Sequence, residues 1–205
     1  NRPIPIPRGK VIGGCSSING MLYVRGQASD YDVWAQMGCT GWSYKNVLPY
    51  FKKSENWERG GNQYRGEGGP LNVIEPRNRY DILDKVIAAG TSLGYVPEND
   101  YNSDSQAGFF YYQLTQKDGR RFSAKHAYLD PARNRTNLTI WTRALAKKIL
   151  IKDGRAWGVT IRNQGRNNTV TARKEVIISA GAIQSPQLLE MSGVGQGERL
   201  RSLGI

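Results

Sequence analysis

A single histidine, His126, and two cysteines, Cys15 and Cys39, are all that the 205 residues offer as soft metal ligands. No Cys-x-x-Cys pair and no His/Cys cluster occurs, so a zinc site of the usual spacing is excluded, and two cysteines do not make a disulfide framework. Long apolar runs are missing too; none approaches the ~20 residues that cross a bilayer. There is no repeat of fixed period and no low-complexity tract. Acids are scarce, 17 against 29 Lys and Arg, for a formal charge of +12. Such an excess suits nucleic acid, an anionic surface or an anionic ligand. The basic residues are scattered, however, and the tightest groups are pairs such as Lys52–Lys53, Arg120–Arg121 and Lys147–Lys148. That pattern reads as solvated surface, with a basic nucleic-acid or polyanion-binding module as the alternative.

Hydrophobic residues at 39% and charged residues at 22% mark a globular chain,. The length suffices for one domain or parts of two. The chain opens on Asn1 rather than Met. It is expected to be an internal piece of a longer protein, cytoplasmic or peripherally membrane-associated, and it shows no signal peptide.

Ser29 is expected to cap a short helix carrying Tyr31, Val33, Trp34 and Met37, with Gly38 ending it,. Ser43 is expected to cap a second helix through Phe51, kinked or starting late at Pro49,. Residues 56–70 read as loop. Apolar spacing predicts an amphipathic helix over Tyr80–Leu93, weakened by Gly90 and stopped by Gly94,. Phe109–Leu114 reads as a strand. From Leu138 the pattern turns to strands: Leu138–Thr142, then a meander of Lys147–Ile151, Trp157–Ile161 and Thr169–Thr171 with turns at Asp153-Gly154 and Asn163–Asn168,. A short strand over Glu175–Ser179 and a helix from about Ser185 to Ser192 follow,.

The segment Gly9-Lys10-Val11-Ile12-Gly13-Gly14-Cys15-Ser16-Ser17-Ile18-Asn19-Gly20-Met21-Leu22-Tyr23-Val24-Arg25-Gly26 is a glycine turn beside small hydroxyls, followed by an amide side chain. Such a loop lets backbone N–H groups approach a polar or anionic ligand. By spacing alone it is equally a tight structural loop. Other features carry bland readings. The sequons at Asn134, Asn137 and Asn167 mean glycosylation only in a secreted protein,. Trp34, Trp42, Tyr50, Phe51 and Trp57 are expected to pack in the core, and Phe109–Tyr112 to face either substrate or a sheet core,.

From Gly9 to Asp32 the chain resembles the first signature of the glucose–methanol–choline oxidoreductases, including Asn19, Tyr23, Gly26 and Asp32. Gly181-Ala182-Ile183-Gln184-Ser185-Pro186-Gln187-Leu188-Leu189-Glu190-Met191-Ser192-Gly193-Val194-Gly195 resembles the second. Gly41-Trp42-Ser43, Leu48-Pro49-Tyr50-Phe51 and Gly69-Pro70-Leu71 lie between them and are also similar to the family, closest to its choline and aliphatic alcohol dehydrogenase branch. Cys15 departs from the commoner Ser or Gly, although some choline-oxidising members share Gly-Gly-Cys-Ser-Ser.

The resemblance implies a mixed α+β and α/β fold: part of a Rossmann-like FAD-binding domain beside a mixed substrate-side region. It implies a flavin-contacting segment at 1–27, the substrate-side region at 28–137, and a meander with more of the FAD domain at 138–205. It implies FAD contacts at Gly14, Cys15, Asn19, Gly20, Met21 and Leu22, and an adenine contact at Ala146. In some members a histidine just before the matching asparagine binds FAD covalently; here Ile18 stands there, implying non-covalent FAD. The family's Gly-x-Gly-x-x-Gly and its catalytic histidine segment have no counterpart in this chain, and His126 matches a different region. No catalytic residue is therefore expected here. The implied reaction is oxidation of an alcohol to an aldehyde by hydride transfer to flavin, with oxygen or a quinone as acceptor and the remainder of the parent chain as partner. The amino-terminal turn and the strand ending at Ala180-Gly181 are expected to converge on one dinucleotide.

Overall fold

The computed structural model describes residues 2–97 and 100–205. The chain divides into two units, 1–138 and 139–205. The first opens in extended backbone and tightens into a 3-10 turn at Gly14–Ser17. Helices α1 (Ala28–Gln36) and α2 (Tyr44–Ser54) follow, then strands β1 (Glu55–Trp57) and β2 (Leu71–Val73), which pair in parallel. Helix α3 (Asp81–Ser92) leads to a hairpin of β3 (Gln116–Lys117) and β4 (Arg120–Arg121), a π-helical turn at Lys125–Leu129 and a short α4 (Asp130–Ala132).

The helix ends are set by contacts that spacing does not show. The cap of α1 is Gln27, not Ser29: the Gln27 N–H donates to the Asp30 carboxylate at 2.7 Å, and the Asp30 N–H donates to the Gln27 backbone carbonyl at 3.1 Å,. Ser43 does sit at the cap position of α2, but the first N–H of that helix, on Tyr44, donates to Asp32 of α1 at 2.9 Å. Satisfying an orphan donor in this way lets α2 begin at Tyr44 and run on past Pro49,. Helix α3 ends at Ser92 with Leu93 as its cap, and Gly94 follows with φ +91°, the stop expected there,. Gly90 is buried because a Cβ there would stand 2.6 Å from the Phe109 ring. Helix propensity yields to that close approach.

The expected strand over Phe109–Leu114 is absent. Leu114 instead makes single bridges to both Leu22 and Ile74, and Phe109 one to Pro97. The aromatic side chains of this run go to ring contacts: Phe110 stacks on Tyr101 at 4.2 Å and Phe109 meets Tyr95 at 5.4 Å. Of the five aromatics assigned to the core only Trp57 is buried. Trp34 and Trp42 lie edge to face at 5.7 Å and stay half exposed, and Tyr50 is exposed. Periodicity marks an apolar face; it does not supply the element that covers it.

In the second unit β5 (Ala144–Lys152), β6 (Arg155–Asn163) and β7 (Arg166–Thr171) form an antiparallel meander. Its turns are Asp153-Gly154 (φ +51°, +74°) and Gln164-Gly165 (φ +50°, +79°). Two successive positive φ values match the twist of the flanking strands, so the second turn is tighter than the Asn163–Asn168 span suggested. Leu138–Thr142 is not a strand, since Arg143 turns left-handed (φ +55°) just before β5,. Glu175–Ser179 is not one either, because no strand among the described residues pairs with it,. Helices α5 (Gln184–Met191) and α6 (Gly197–Ser202) complete the chain, and the Ser192 hydroxyl accepts from the β5 N–H of Ile149 at 2.8 Å. No helix among the described residues is long and apolar enough to cross a membrane.

Candidate functional site

Six of the seven expected site residues fall in one loop of the first unit. Gly14 and Cys15 open the 3-10 turn; Asn19, Gly20, Met21 and Leu22 lead out of it. The extended backbone that enters the turn is pressed against it. A Cβ on Gly9 would stand 2.8 Å from Cys15 N and closer still to the Gly14 carbonyl, and the Gly9 N–H points to Cys15 Sγ at 3.5 Å. The Ser17 hydroxyl donates to Ile12 O at 2.9 Å. Met21 holds a left-handed backbone, φ +66°. Such strain in a bulky residue persists only where surrounding contacts over-determine it. Here Thr115 N–H donates to Met21 O at 2.9 Å, and Met21 N–H to Asn19 Oδ1 at 3.0 Å.

The β3–β4 hairpin delivers the clamp on this loop. Arg121 Nη1 donates to Ser16 O at 3.0 Å and to Asn19 Oδ1 at 2.8 Å, and Ala124 N–H donates to the Ser16 hydroxyl at 2.9 Å. Both of these bonds use the Asn19 carbonyl oxygen, which fixes the orientation of the side-chain amide. Neither Arg121 nor Ser16 was singled out from the sequence. The signal was present: Lys117-Asp118-Gly119-Arg120 repeats the Lys-Asp-Gly-Arg that makes the β5–β6 turn, and Asp118 and Gly119 again have φ +50° and +70°.

Beneath the loop lies a buried polar cluster that no local pattern announces. Glu55, fully buried, receives Arg25 Nη2 at 2.7 Å, Arg65 Nη2 at 2.7 Å and the Gly66 N–H at 2.8 Å. Arg65 also donates to Gln113 Oε1 at 2.9 Å and Asp100 Oδ1 at 2.5 Å, over the Trp57 ring at 4.1 Å. Burial alone would lower the Arg65 guanidinium; Glu55 and Asp100 outweigh it and hold the pKa above its ordinary value,. Asn102 joins Gln113 to the Tyr23 carbonyl and accepts the Arg25 N–H at 2.9 Å. The network thus fixes Tyr23–Arg25, the stem of the loop.

Tyr101 belongs to the same cluster, donating to Tyr23 O at 2.9 Å and accepting Gln113 N–H at 2.6 Å. Burial pushes its phenol from 10.0 up to about 12. Burial, then Glu55, moves Tyr23 the same way. The fold prefers the neutral phenol, so its contribution is intact below about pH 10 and is lost as pH rises toward about 12,. Tyr101→Phe is expected to flatten the fall in stability across that window in denaturant melts; an unchanged slope would assign the fall to other groups.

The remaining expected residue, Ala146, lies in the second unit, exposed on β5 opposite Ile161 and next to a register irregularity. A pocket of about 460 Å³ in that unit is lined by Trp141, Thr142, Asn163 and Arg166 among others, not by Ala146. A pocket of about 510 Å³ in the first unit lies between the start of α1 and residues 102–107, with Arg25, Tyr44 and Tyr64 on its wall and none of the expected site residues. His126 is exposed, its Nδ1 paired with the Ser123 hydroxyl at 3.0 Å and its ring over Phe122. Both cysteines are free and exposed.

The loop surface is mixed in character. Ile18 and Leu22 are 49% and 52% exposed, beside the Cys15 thiol and backbone polar groups, and nothing lies within 4 Å of a Cβ placed on Gly14. Open apolar surface edged by hydrogen-bonding groups suits a flat ring system with a polar rim.

Comparison with known proteins shows the family. The GMC oxidoreductase profile matches residues 1–204. An oxygen-dependent choline dehydrogenase of Rhizobium johnstonii is 47% identical over all 205 residues, and the chain spans 37% of that relative's length. Among solved structures, an FAD-dependent oxidoreductase from Chaetomium thermophilum superposes with TM-score 0.92 at 31% identity, over 100% of this chain and 38% of that one. Pyridoxine 4-oxidase from Mesorbium loti superposes with TM-score 0.86 at 32% identity, over 97% and 39%. With a family profile running nearly end to end and a mixed helix-and-strand fold shared with its solved members, the chain belongs to the GMC oxidoreductase family.

Proposed function

We propose that this chain is the flavin-holding part of an enzyme that oxidises the CH–OH group of an alcohol to an aldehyde. The observation that carries this reading is the Gly9–Leu22 loop: strained at Met21, clamped by Arg121, and presenting open apolar and polar surface together. Its character fits an isoalloxazine ring. Gly14, Cys15, Asn19, Gly20, Met21 and Leu22 would hold FAD, with Ala146 against the adenine. When bound, the flavin supplies the hydride acceptor. The chain's own residues orient it: Arg121 and the Met21 N–H set the Asn19 carboxamide, and the buried Glu55 cluster keeps the loop stem from moving. Segment 1–27 contacts flavin, 28–137 lies on the substrate side, and 138–205 belongs to the FAD domain. The name of the Rhizobium johnstonii relative supports choline as substrate and oxygen as acceptor. Other aliphatic or aromatic primary alcohols, and a quinone, are the wider class. No residue of this chain is assigned as general base. Nothing in the matched family or relatives supports the basic polyanion-binding alternative.

Ile18 offers no nucleophile to a flavin. Full-length protein is expected to purify yellow and to release all its FAD into the supernatant on acid precipitation. Colour remaining in the pellet refutes the non-covalent assignment, and protein that takes up no flavin refutes the function.

A further inference from the structure

Arg8 makes no contribution to anything described so far, and its surroundings call for an acceptor. Among the described residues its Nε is the buried side-chain donor left without a hydrogen-bond partner. None of the ion pairs there includes it. Leaving a buried donor unmade costs more than an ordinary hydrogen bond contributes, and more so for a charged group. The position is not free to drift away from the loop. Gly9, the next residue, is packed so closely on Gly14 and Cys15 that a Cβ would not fit between them. The root of the Arg8 side chain is therefore fixed beside the candidate flavin loop. The segment itself offers no acceptor of opposite charge: residues 2–26 hold Arg2, Arg8, Lys10 and Arg25 and no carboxylate, and Arg25 is committed to Glu55. Across the loop stand Arg121, already bonded to Ser16 and Asn19, and Lys125, paired with Asp130.

We propose that Arg8 is a phosphate-binding residue, its guanidinium completing its hydrogen bonds on an oxyanion of the bound dinucleotide. This rests on the FAD reading of the same loop. A planar guanidinium matches phosphate geometry and stays charged at any working pH. The alternative source of an acceptor is a carboxylate or carbonyl of polypeptide beyond these residues, and the experiment separates the two.

Arg8→Met and Arg8→Lys are compared with the parent in full-length protein stripped of flavin. FAD affinity is read by flavin fluorescence, and flavin-free thermal stability is measured alongside. Arg8→Met is expected to weaken FAD about tenfold, from loss of one charge-assisted contact, with the flavin-free melting temperature unchanged and part of the affinity kept in Arg8→Lys. The salt dependence of FAD binding should also become shallower in Arg8→Met. A loss of under threefold overturns the proposal. So does a matching drop in flavin-free stability, which would place the acceptor in the polypeptide. Parent protein that binds no FAD at all is a different result, since it removes the functional reading beneath the proposal.

Discussion

Glu55→Ala is expected to destabilise the first unit by about 3–5 kcal/mol, the cost of leaving a buried ion pair without one partner. The case is stronger than usual because one carboxylate serves two guanidiniums and the Gly66 N–H, all removed from water. Deleting it leaves Arg25 and Arg65 without the carboxylate they share, while Asp100 still pairs with Arg65. Glu55→Gln retains the shape but not the charge and should fall between the two. Urea melts of full-length protein would measure the difference. A loss of under about 1 kcal/mol, typical of a surface pair, would show that the cluster is not the dry network described here.

The second large effect is expected at the flavin loop. Gly9→Ala pushes a methyl into the Gly14 carbonyl and to within 2.8 Å of Cys15 N. The obstacle is backbone on both sides, so the turn itself must move. Over-packing of this kind costs about 1–3 kcal/mol, which as lost binding is about five- to 150-fold. FAD affinity of Gly9→Ala is expected to fall in that range. Gly14→Ala is the control, read in flavin-free melts: its Cβ would meet no protein atom, and the left-handed φ of +55° penalises it by about 1 kcal/mol. If Gly14→Ala lost more flavin-free stability than Gly9→Ala, the extended segment at Gly9 would not be what shapes the turn.

The parts legible in the sequence are those that short-range physics decides. Helix α3 and its glycine stop follow from apolar spacing and from the tolerance of Gly94 for positive φ. The β5–β6 hairpin follows from Asp153-Gly154. The same turn signal stands at Asp118-Gly119 and marks the arm that carries Arg121. Where a neighbour decides, spacing misled. Phe109–Leu114 has the aromatic composition of a strand, yet its backbone divides its bridges between Leu22, Ile74 and Pro97. Glu175–Ser179 has strand composition and no partner strand among the described residues.

The sequence by itself determined the family signatures, the local turns, and the loop in which six of the seven candidate contacts lie. It did so because glycine conformations and one-residue-deep motifs are local properties. Only the tertiary structure decided what holds that loop in shape. Glu55 meets Arg25 across 30 residues, Arg65 meets Gln113 across 48, and Arg121 meets Asn19 across 102. No residue in any of these pairs carries a mark of its partner in the surrounding sequence, because a charge far along the chain becomes a neighbour only once the backbone between them has folded.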